Sequence, residues 1–516
     1  MADDSLTGQY SVVAPFLTAY VPSWLSGDTF NGLRIASYTF YEALYWNDAG
    51  GFKMTLRGDE EFPVYIPSAR RIINTFNRYV ARGMKPEITA QQDATALAAA
   101  SAFDILFKRE RFLSLFKQSK KMGLIRGDFI LGLFADPLKA QGSRISIQDI
   151  HPSRYFPIPD PDNINQLTGQ QLIEQVKIGD KFYIHVQSWY KSSNPVHPNY
   201  NPGVAESQPL PIAYEDVTYE QENFNDPLKR KTFSNPATDV ALDTLDGIIT
   251  LPLYHFGNDR ASDAIYGTSE LKGLERIFLA INQTGTDEDV AIAMAGLGLY
   301  KSDSTPVDVD GKITDWVLGP KRVVEIPRGG IFDRVSGVAS VEPSQGHMNW
   351  LQGQAESVLG ISDVALGQVD VSVAESGIAL ALRMGPLLDA SDERDADITD
   401  ILTQMFHDLK QWLLVYEKLN LGDDITGAVI MPVYGDKLPT DRSGEMDRLK
   451  QLFQDGVIPV QTYWAMLRKL GLELPTDQEM TKLFADAGDI LDPTGARLAA
   501  EATGSGPVSA AVTPVN

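Results

Sequence analysis

Cysteine is absent from all 516 residues, which excludes thiolate nucleophiles, thiolate metal sites and disulfides. The six histidines, His151, His185, His197, His255, His347 and His407, are scattered, and none stands in a His-Glu-x-x-His frame. No Gly-x-x-x-x-Gly-Lys-Ser/Thr loop is present to cradle a nucleotide phosphate, and no Gly-x-Ser-x-Gly elbow presents a serine. Asp308-Val309-Asp310-Gly311 has some calcium-loop character. Pro306 and Val317 would then fill the first and twelfth ligand positions, where carboxylates are required, so the segment reads as a turn. Asp392, Glu393 and Asp395 could serve a hydrolase as paired carboxylates. Among apolar neighbours in helical spacing they read better as a solvated helix face. Weight therefore moves from catalysis toward a structural or channel role, with no catalytic residue, metal or cofactor expected.

Composition points the same way. The formal net charge is -23. A protein that grips nucleic acid by neutralising phosphates is usually basic. This chain should repel DNA on average, which serves solubility or allows contact without holding. Hydrophobic residues make up 43%, ample for a core, and the length suggests two to four domains. The N-terminus, Met1-Ala2-Asp3-Asp4-Ser5, carries acid where a signal peptide needs base. No apolar run approaches the roughly 20 residues of a membrane span. A soluble, unsecreted protein is expected.

The elements that must position any site follow from the pattern. Residues 1–30 read as a loosely attached arm, and Thr39–Trp46 as an aromatic-rich helix ending near Asn47. Ile72, Ile73, Phe76 and Val80 predict a helix over Ser68–Val80. Two helices follow: Thr95–Phe107, then a basic stretch with Lys108, Arg109, Arg111, Lys117, Lys120 and Lys121. The stretch reads as a solvated face, with phosphate or partner contact as the alternative. From Gly127 to Leu253 the pattern is strands, including Phe129–Phe134 and the period-two Phe182–Trp189. Proline-punctuated His151–Pro159 is an extended edge, and Asn194–Pro211 an exposed loop.

At Gly267 a helix is expected, with Thr268 and Ser269 as caps and Glu270 in its first turn. A small β-rich module spans 299–341, with Trp316-Val317-Leu318, Val323-Val324 and Ile331-Phe332 as its apolar runs. Met348, Leu351, Ala355, Val358 and Leu359 mark the next helix. After a glycine-broken, β-branched stretch from Ser362 to Val373, a long helix runs from Ser376 to Leu419, and Pro386 inside it must kink it. The remainder is helical: one helix ends at Gly456, Pro459–Leu470 holds a second, and a Thr476/Glu479 capping box opens a third. From Thr494 small residues dominate and disorder is expected.

The order of motifs in the second half resembles the core of portal proteins of tailed bacteriophages. Pro252-Leu253-Tyr254-His255-Phe256 precedes Tyr266-Gly267-Thr268-Ser269-Glu270-Leu271 and its helix. The β-rich module and a short helix come next. Glu375-Ser376-Gly377-Ile378-Ala379-Leu380 then runs into the long helix, and Pro439-Thr440-Asp441 leads to Asp455-Gly456-Val457-Ile458-Pro459. The likeness covers roughly residues 30–490 and rests on order and spacing, since each motif alone is weak.

The resemblance implies an α+β, portal-type multidomain subunit forming a ring, commonly of twelve, at one capsid vertex. Double-stranded DNA would be packaged and ejected through it without sequence-specific binding. Residues 1–30 would be an arm, 31–266 the first part of a wing, 267–295 and 342–360 stem helices, and 296–341 a clip. Residues 361–375 would form a tunnel loop, 376–439 the long kinked helix and a wing return strand, 440–493 a crown and 494–516 a flexible tail. Asp363, Val364, Leu366, Gln368, Val369, Asp370, Val371 and Ser372 would line the channel. Lys321, Arg322, Arg328 and Arg334 would serve clip docking, and Pro386 the kink. Implied partners are further copies of the chain, the large terminase subunit, a head-completion adaptor, and the major capsid and scaffolding proteins, with no membrane. The place would be the virion, after synthesis in the host bacterial cytoplasm. The alternative is a large acidic soluble α+β hydrolase using carboxylates. A third reading, a head-tail adaptor, usually has a much shorter chain.

Overall fold

The computed structural model describes residues 29–48, 54–56, 62–90, 94–178, 181–200, 210–220, 229–230, 240–297, 299–303, 305, 312–313, 330–335, 341–368, 377–417, 428–438, 442–469 and 472. The chain divides into two compact units, residues 1–435 and 436–516. The arm before residue 29, the Asp308 turn, the apolar runs at 316–318 and 323–324, Ser376, the capping box at 476–479 and the tail lie outside the described residues.

The first unit opens with α1 (Thr29–Trp46), which begins ten residues earlier than its aromatic run suggested. It ends where expected, with Asn47 at φ 58°. Next come α2 (Ser68–Asn77), α3 (Ala94–Arg109) and α4 (Phe112–Arg126). Lys120 departs from the solvated-face reading of the basic stretch. It is buried, and its ammonium donates to the carbonyls of Asn77 and Val80, closing the C-terminal end of α2. Asn77 is the last residue of α2 and Val80 lies in the turn just after it, so a cation there meets a free helix-end carbonyl and the negative end of the helix dipole.

Strands then dominate. A three-stranded antiparallel sheet is ordered β10 (Leu253–Gly257), β2 (Asp128–Ala135), β3 (Ile145–Ile150). A six-stranded sheet runs β4 (Tyr155–Pro159), β5 (Leu167–Ile178), β6 (Lys181–Tyr190), β7 (Ala213–Glu220), β8 (Lys229–Arg230), with β9 (Val240–Thr244) also on β7. The proline-rich segment is indeed an edge, β4. The strand predicted at Phe182–Trp189 is β6, yet its burial does not alternate, because β6 is central and both its faces are partly covered. The expected exposed loop begins inward: Asn194 and His197 are buried, hydrogen-bonded to Thr168 and to the Pro211 carbonyl.

Beyond the sheets, the helix expected at Gly267 starts later, as α5 (Glu275–Leu297). Gly273 at φ +86° cannot continue a helical turn, so residues 269–274 form a separate turn. Ser269 caps that turn, accepting from Leu271 N at 3.1 Å. Two short strands, β11 (Leu299–Ser302) and β12 (Phe332–Val335), pair antiparallel. They are what the described residues contain of the β-rich module. Then come α6 (Glu342–Val358), the long α7 (Gly377–Glu417), and β13 (Ala428–Val433), which pairs antiparallel with β1 (Lys85–Ala90).

The 41 residues of α7 make it about 60 Å long at 1.5 Å per residue. Its C-terminal half buries Leu402, Met405, Phe406, Leu409, Trp412 and Leu413. Phe406 packs edge-on against Phe107 and Phe112 at 5.4 and 5.6 Å, joining α7 to α3 and α4. Phe129 and Phe256, stacked at 4.3 Å, extend this core into the three-stranded sheet. Among the side chains described there, the N-terminal half of α7 buries a narrow stripe: Met384, Leu387, Ser391, Asp395. Asp395 is thus a second departure, since its carboxylate accepts from Ala81 N in the interior.

The second unit contains α8 (Arg442–Gln454) and α9 (Val460–Lys469), joined by a turn in which Gly456 N donates to Phe453 O at 3.0 Å. Phe453 stacks on Tyr463 at 4.7 Å. The described residues show a mixed α+β protein with no closed barrel, and among them no helix is long and apolar enough to cross a membrane.

Candidate functional site

The residues expected to line a channel begin at the end of α6. Residues 362–368 fold into one tight turn, with Ala365 N donating to Ser362 O at 2.9 Å and Gln368 N to Asp363 O at 2.9 Å. Asp363 and Gln368 are exposed, Val364 and Leu366 half-buried, and Ile361 and Ala365 buried within the chain itself. Part of the apolar character of this segment is therefore satisfied by its own subunit. Val369, Asp370, Val371 and Ser372 lie outside the described residues, as do Lys321, Arg322 and Arg328. Arg334 stands on β12, paired in register with Tyr300. Pro386 packs beneath the start of the turn, and Ser362 Oγ reaches Met384 Sδ at 3.6 Å. The structure so brings together Pro386 and the 361–368 turn.

A buried polar junction that sequence reasoning missed holds the first unit together. Asp128 is fully buried at the start of β2. It accepts from Tyr38 Oη at 2.7 Å, His255 Nε2 at 2.6 Å and Gly267 N at 2.7 Å. Burial pushes its pKa up, but the charge and hydrogen bond of His255, with the Gly267 and Tyr38 bonds, hold it below the usual carboxylate range. Beside it the fully buried Arg34 donates to Pro152 O at 2.9 Å and lies over the Tyr266 ring at 4.2 Å. Burial works against its charge, but Tyr266, Tyr38 and Asp128 prevail and its pKa is raised. At the other end of α7, Glu417 accepts from the backbone N–H groups of Gly142, Arg144 and Ile145, capturing the β2–β3 loop. Near the middle, Arg394 pairs with Glu270 at 2.9 Å and Asp259 at 3.3 Å.

A second cluster crosses one face of the six-stranded sheet. His185 lies between Asp216 (Nε2 to Oδ1, 2.7 Å) and Glu174 (Nδ1 to Oε1, 3.3 Å), and Arg154 pairs with Glu174 at 3.0 Å. The Asp216 hydrogen bond raises the His185 pKa above its ordinary 6.5 despite burial. Burial pushes Asp216 up, but hydrogen bonds from His185 and Gln187 bring it below its ordinary 3.8. The His185 contribution to stability is therefore complete below pH 6.5 and is lost as pH rises through the folded value. The Asp216 contribution is present above pH 3.8 and is lost as pH falls through its folded value. Amide protection in β5–β7, taken relative to the intrinsic exchange rate at each pH, should consequently be highest between these limits and fall on the alkaline side. His185→Gln should remove that alkaline fall in protection; an unchanged protection profile in the variant would refute the assignment.

Chemically, these groups spend their capacity on one another. Asp128, Asp216 and Glu417 are each held by donors from the fold, and among the described residues no group of three or more His, Asp or Glu is arranged to hold a metal ion. A cleft of ≈ 830 Å³ between the β4–β5 end, residues 249–255 and α7 is lined by Lys191, Arg260, Asp397 and Asp400 among others. Among the described residues that line the cleft, no Ser or Thr hydroxyl is hydrogen-bonded to a His or a carboxylate, so the hydrolase alternative gains no support from its geometry.

No family model matches the chain, and no curated protein matches it. Among solved structures, a chain from the virion of a native gene transfer agent particle is 11% identical, with a TM-score of 0.39, covering 85% of this chain and 94% of that one. A chain from the neck of the native particle, computed with C12 symmetry, is 12% identical over 80% of this chain and 91% of that one, with a TM-score of 0.39. A chain from the neck of the empty particle, computed with C6 symmetry, is 13% identical with the same coverage and TM-score. Likeness at this level carries no argument about what this chain does.

Proposed function

We propose that this protein is a portal-type structural subunit that forms a ring in a phage-like virion, with double-stranded DNA passing through the ring. The observation that carries this reading is the one-sided burial of its long helices. From residue 381 onward the N-terminal half of α7 buries a single narrow stripe, and α6 likewise buries little beyond Leu351 and Ala355. Large apolar side chains on these helices face outward: Trp350 at 58% exposure, Val358 at 63% and Leu382 at 74%. A monomer has no use for such faces, whereas helices standing side by side around an axis cover one another.

On this reading α5 and α6 are stem helices, residues 296–341 the clip, 361–375 the tunnel loop, α7 the stem-to-wing helix and 440–493 the crown. The clip, with Arg334 and the arginines and lysine before it, receives the terminase motor and later a head-completion protein. The net charge of -23 suits a channel that lets DNA slide. Purified full-length protein should form large rings, commonly of twelve copies, in negative-stain micrographs and sediment accordingly. Monomers at every concentration and salt tested would sink the proposal.

A further inference from the structure

Charge is distributed very unevenly along this acidic chain. Residues 68–126 hold twelve Lys and Arg against four Asp and Glu, a net +8 within a chain of -23. The fold gathers part of this excess around an exposed aromatic. Trp46, 55% exposed at the end of α1, has Arg70 over its ring at 5.4 Å and Lys121 at 6.0 Å. Lys121 continues the α4 face of Lys117 and of Leu113, itself 51% exposed, since the three are spaced by four. Arg78 follows directly on α2, and its segment is tied to α4 by Lys120, which donates to the carbonyls of Asn77 and Val80 on either side of it. Arg78 and Lys117 are exposed, and no carboxylate pairs with them among the described residues. An apolar centre of Trp and Leu with a cationic rim has the composition of a protein interface.

The matching chemistry is on the same chain. The exposed side of α7 carries Leu382 and Pro386, then Asp389, Glu393, Asp397 and Asp400, spaced three to four residues apart; Pro386 also meets residue 360, and Asp397 and Asp400 rim the cleft of their own chain. The carboxylates alone span about 17 Å of helix. Within its own chain α7 meets α3 and α4 through its buried side, Phe406 on Phe107 and Phe112.

We infer that the patch of Trp46, Arg70, Arg78, Leu113, Lys117 and Lys121 on one copy seats against the Leu382–Asp400 face of α7 on the next. The inference rests on the ring reading and supplies its contact. Two different surfaces on one subunit make a head-to-tail interface, the kind that closes into a ring. Complementary charge also answers how subunits of -23 associate despite their mutual repulsion.

Charge reversal tests it on the full chain, with circular dichroism to confirm that each variant folds. One variant carries Arg78→Glu and Lys117→Glu, a second Asp389→Lys and Asp397→Lys, and a third all four changes. Assembly is read by sedimentation velocity and negative stain at 0.05 and 0.15 M salt. Each paired variant alone should lose assembly by on the order of 100-fold in concentration. A mixture of the two should recover rings of alternating copies, and the fourfold variant should assemble by itself. Rings unaffected by either pair of reversals would overturn the inference while leaving the ring reading intact. So would losses that neither the mixture nor the fourfold variant repairs. If the patch variant assembles normally but loses retention of a 30-base-pair DNA duplex, the patch serves nucleic acid and the inference fails. A wild-type chain that never assembles sinks both.

Discussion

Replacing Asp128 with alanine is expected to cost the first unit about 3–5 kcal/mol, the range seen when one partner of a buried charged pair is removed. The carboxylate is fully buried and is the common acceptor for Tyr38 Oη, His255 Nε2 and Gly267 N, all within 2.7 Å. Alanine leaves three donors without an acceptor, and it leaves the buried guanidinium of Arg34 without the negative charge that supports it. The loss also falls at a point where distant segments meet: α1 supplies Arg34 and Tyr38, β10 supplies His255, and the turn before α5 supplies Gly267. Asp128→Asn keeps the shape but sets an amide N–H group against donors, so it should cost less than alanine and still be clearly destabilising. Urea unfolding followed by fluorescence of Trp189 and Trp412, both buried in this unit, should show the midpoint falling in the order wild type, Asn, Ala. An alanine variant with the wild-type midpoint would mean that the three donors find other acceptors, and the junction would lose its central place.

That junction was invisible in the sequence for a physical reason. Periodicity reports which residues share a face of a helix or strand, and it does so through apolar side chains. It marked the stripe of α7 from Ile398 to Tyr416 and the helices at Ser68 and Pro459 within a few residues of their ends. A charged residue enters the same pattern only as a break. Lys120 and Asp395 were therefore read as solvated, although each closes a backbone end contributed by a segment far away in the chain. Asp128 and Arg34 gave no signal, because the partners of Asp128 are 90 to 139 residues distant and Arg34 reaches the Pro152 carbonyl 118 residues away. The segment after α6 shows the converse. As a tunnel loop it would face a channel, yet Ile361 and Ala365 already pack within their own chain.

Gly360→Ala should destabilise the join between α6 and α7 by about 2–4 kcal/mol, from two additive causes. Gly360 sits at φ +64°, where an L side chain is strained by roughly 1 kcal/mol or more. A Cβ there would also lie 2.8 Å from the carbonyl carbon of Pro386 and 2.9 Å from Leu387 N, and backbone atoms cannot step aside as a side-chain tip can. The glycine thus lets the end of α6 lie directly on the turn of α7 that contains the proline. Pro386 removes the helical hydrogen bond to Leu382 O and crowds that carbonyl, and the exposure of Leu382 leaves the oxygen free to take water instead. The two residues are coupled through this one contact, so their effects should not add. Pro386→Ala restores the missing donor and removes the ring, which should straighten α7; an unchanged helix would show that packing, not proline, sets its path. In the double variant a straightened α7 would draw its backbone away from residue 360, and the cost of the added Cβ should fall by more than 1 kcal/mol relative to Gly360→Ala alone. Strict additivity in urea midpoints would instead mean that the α6 contact holds this turn in place whether or not a proline occupies it, making Gly360 the residue that fixes the joint.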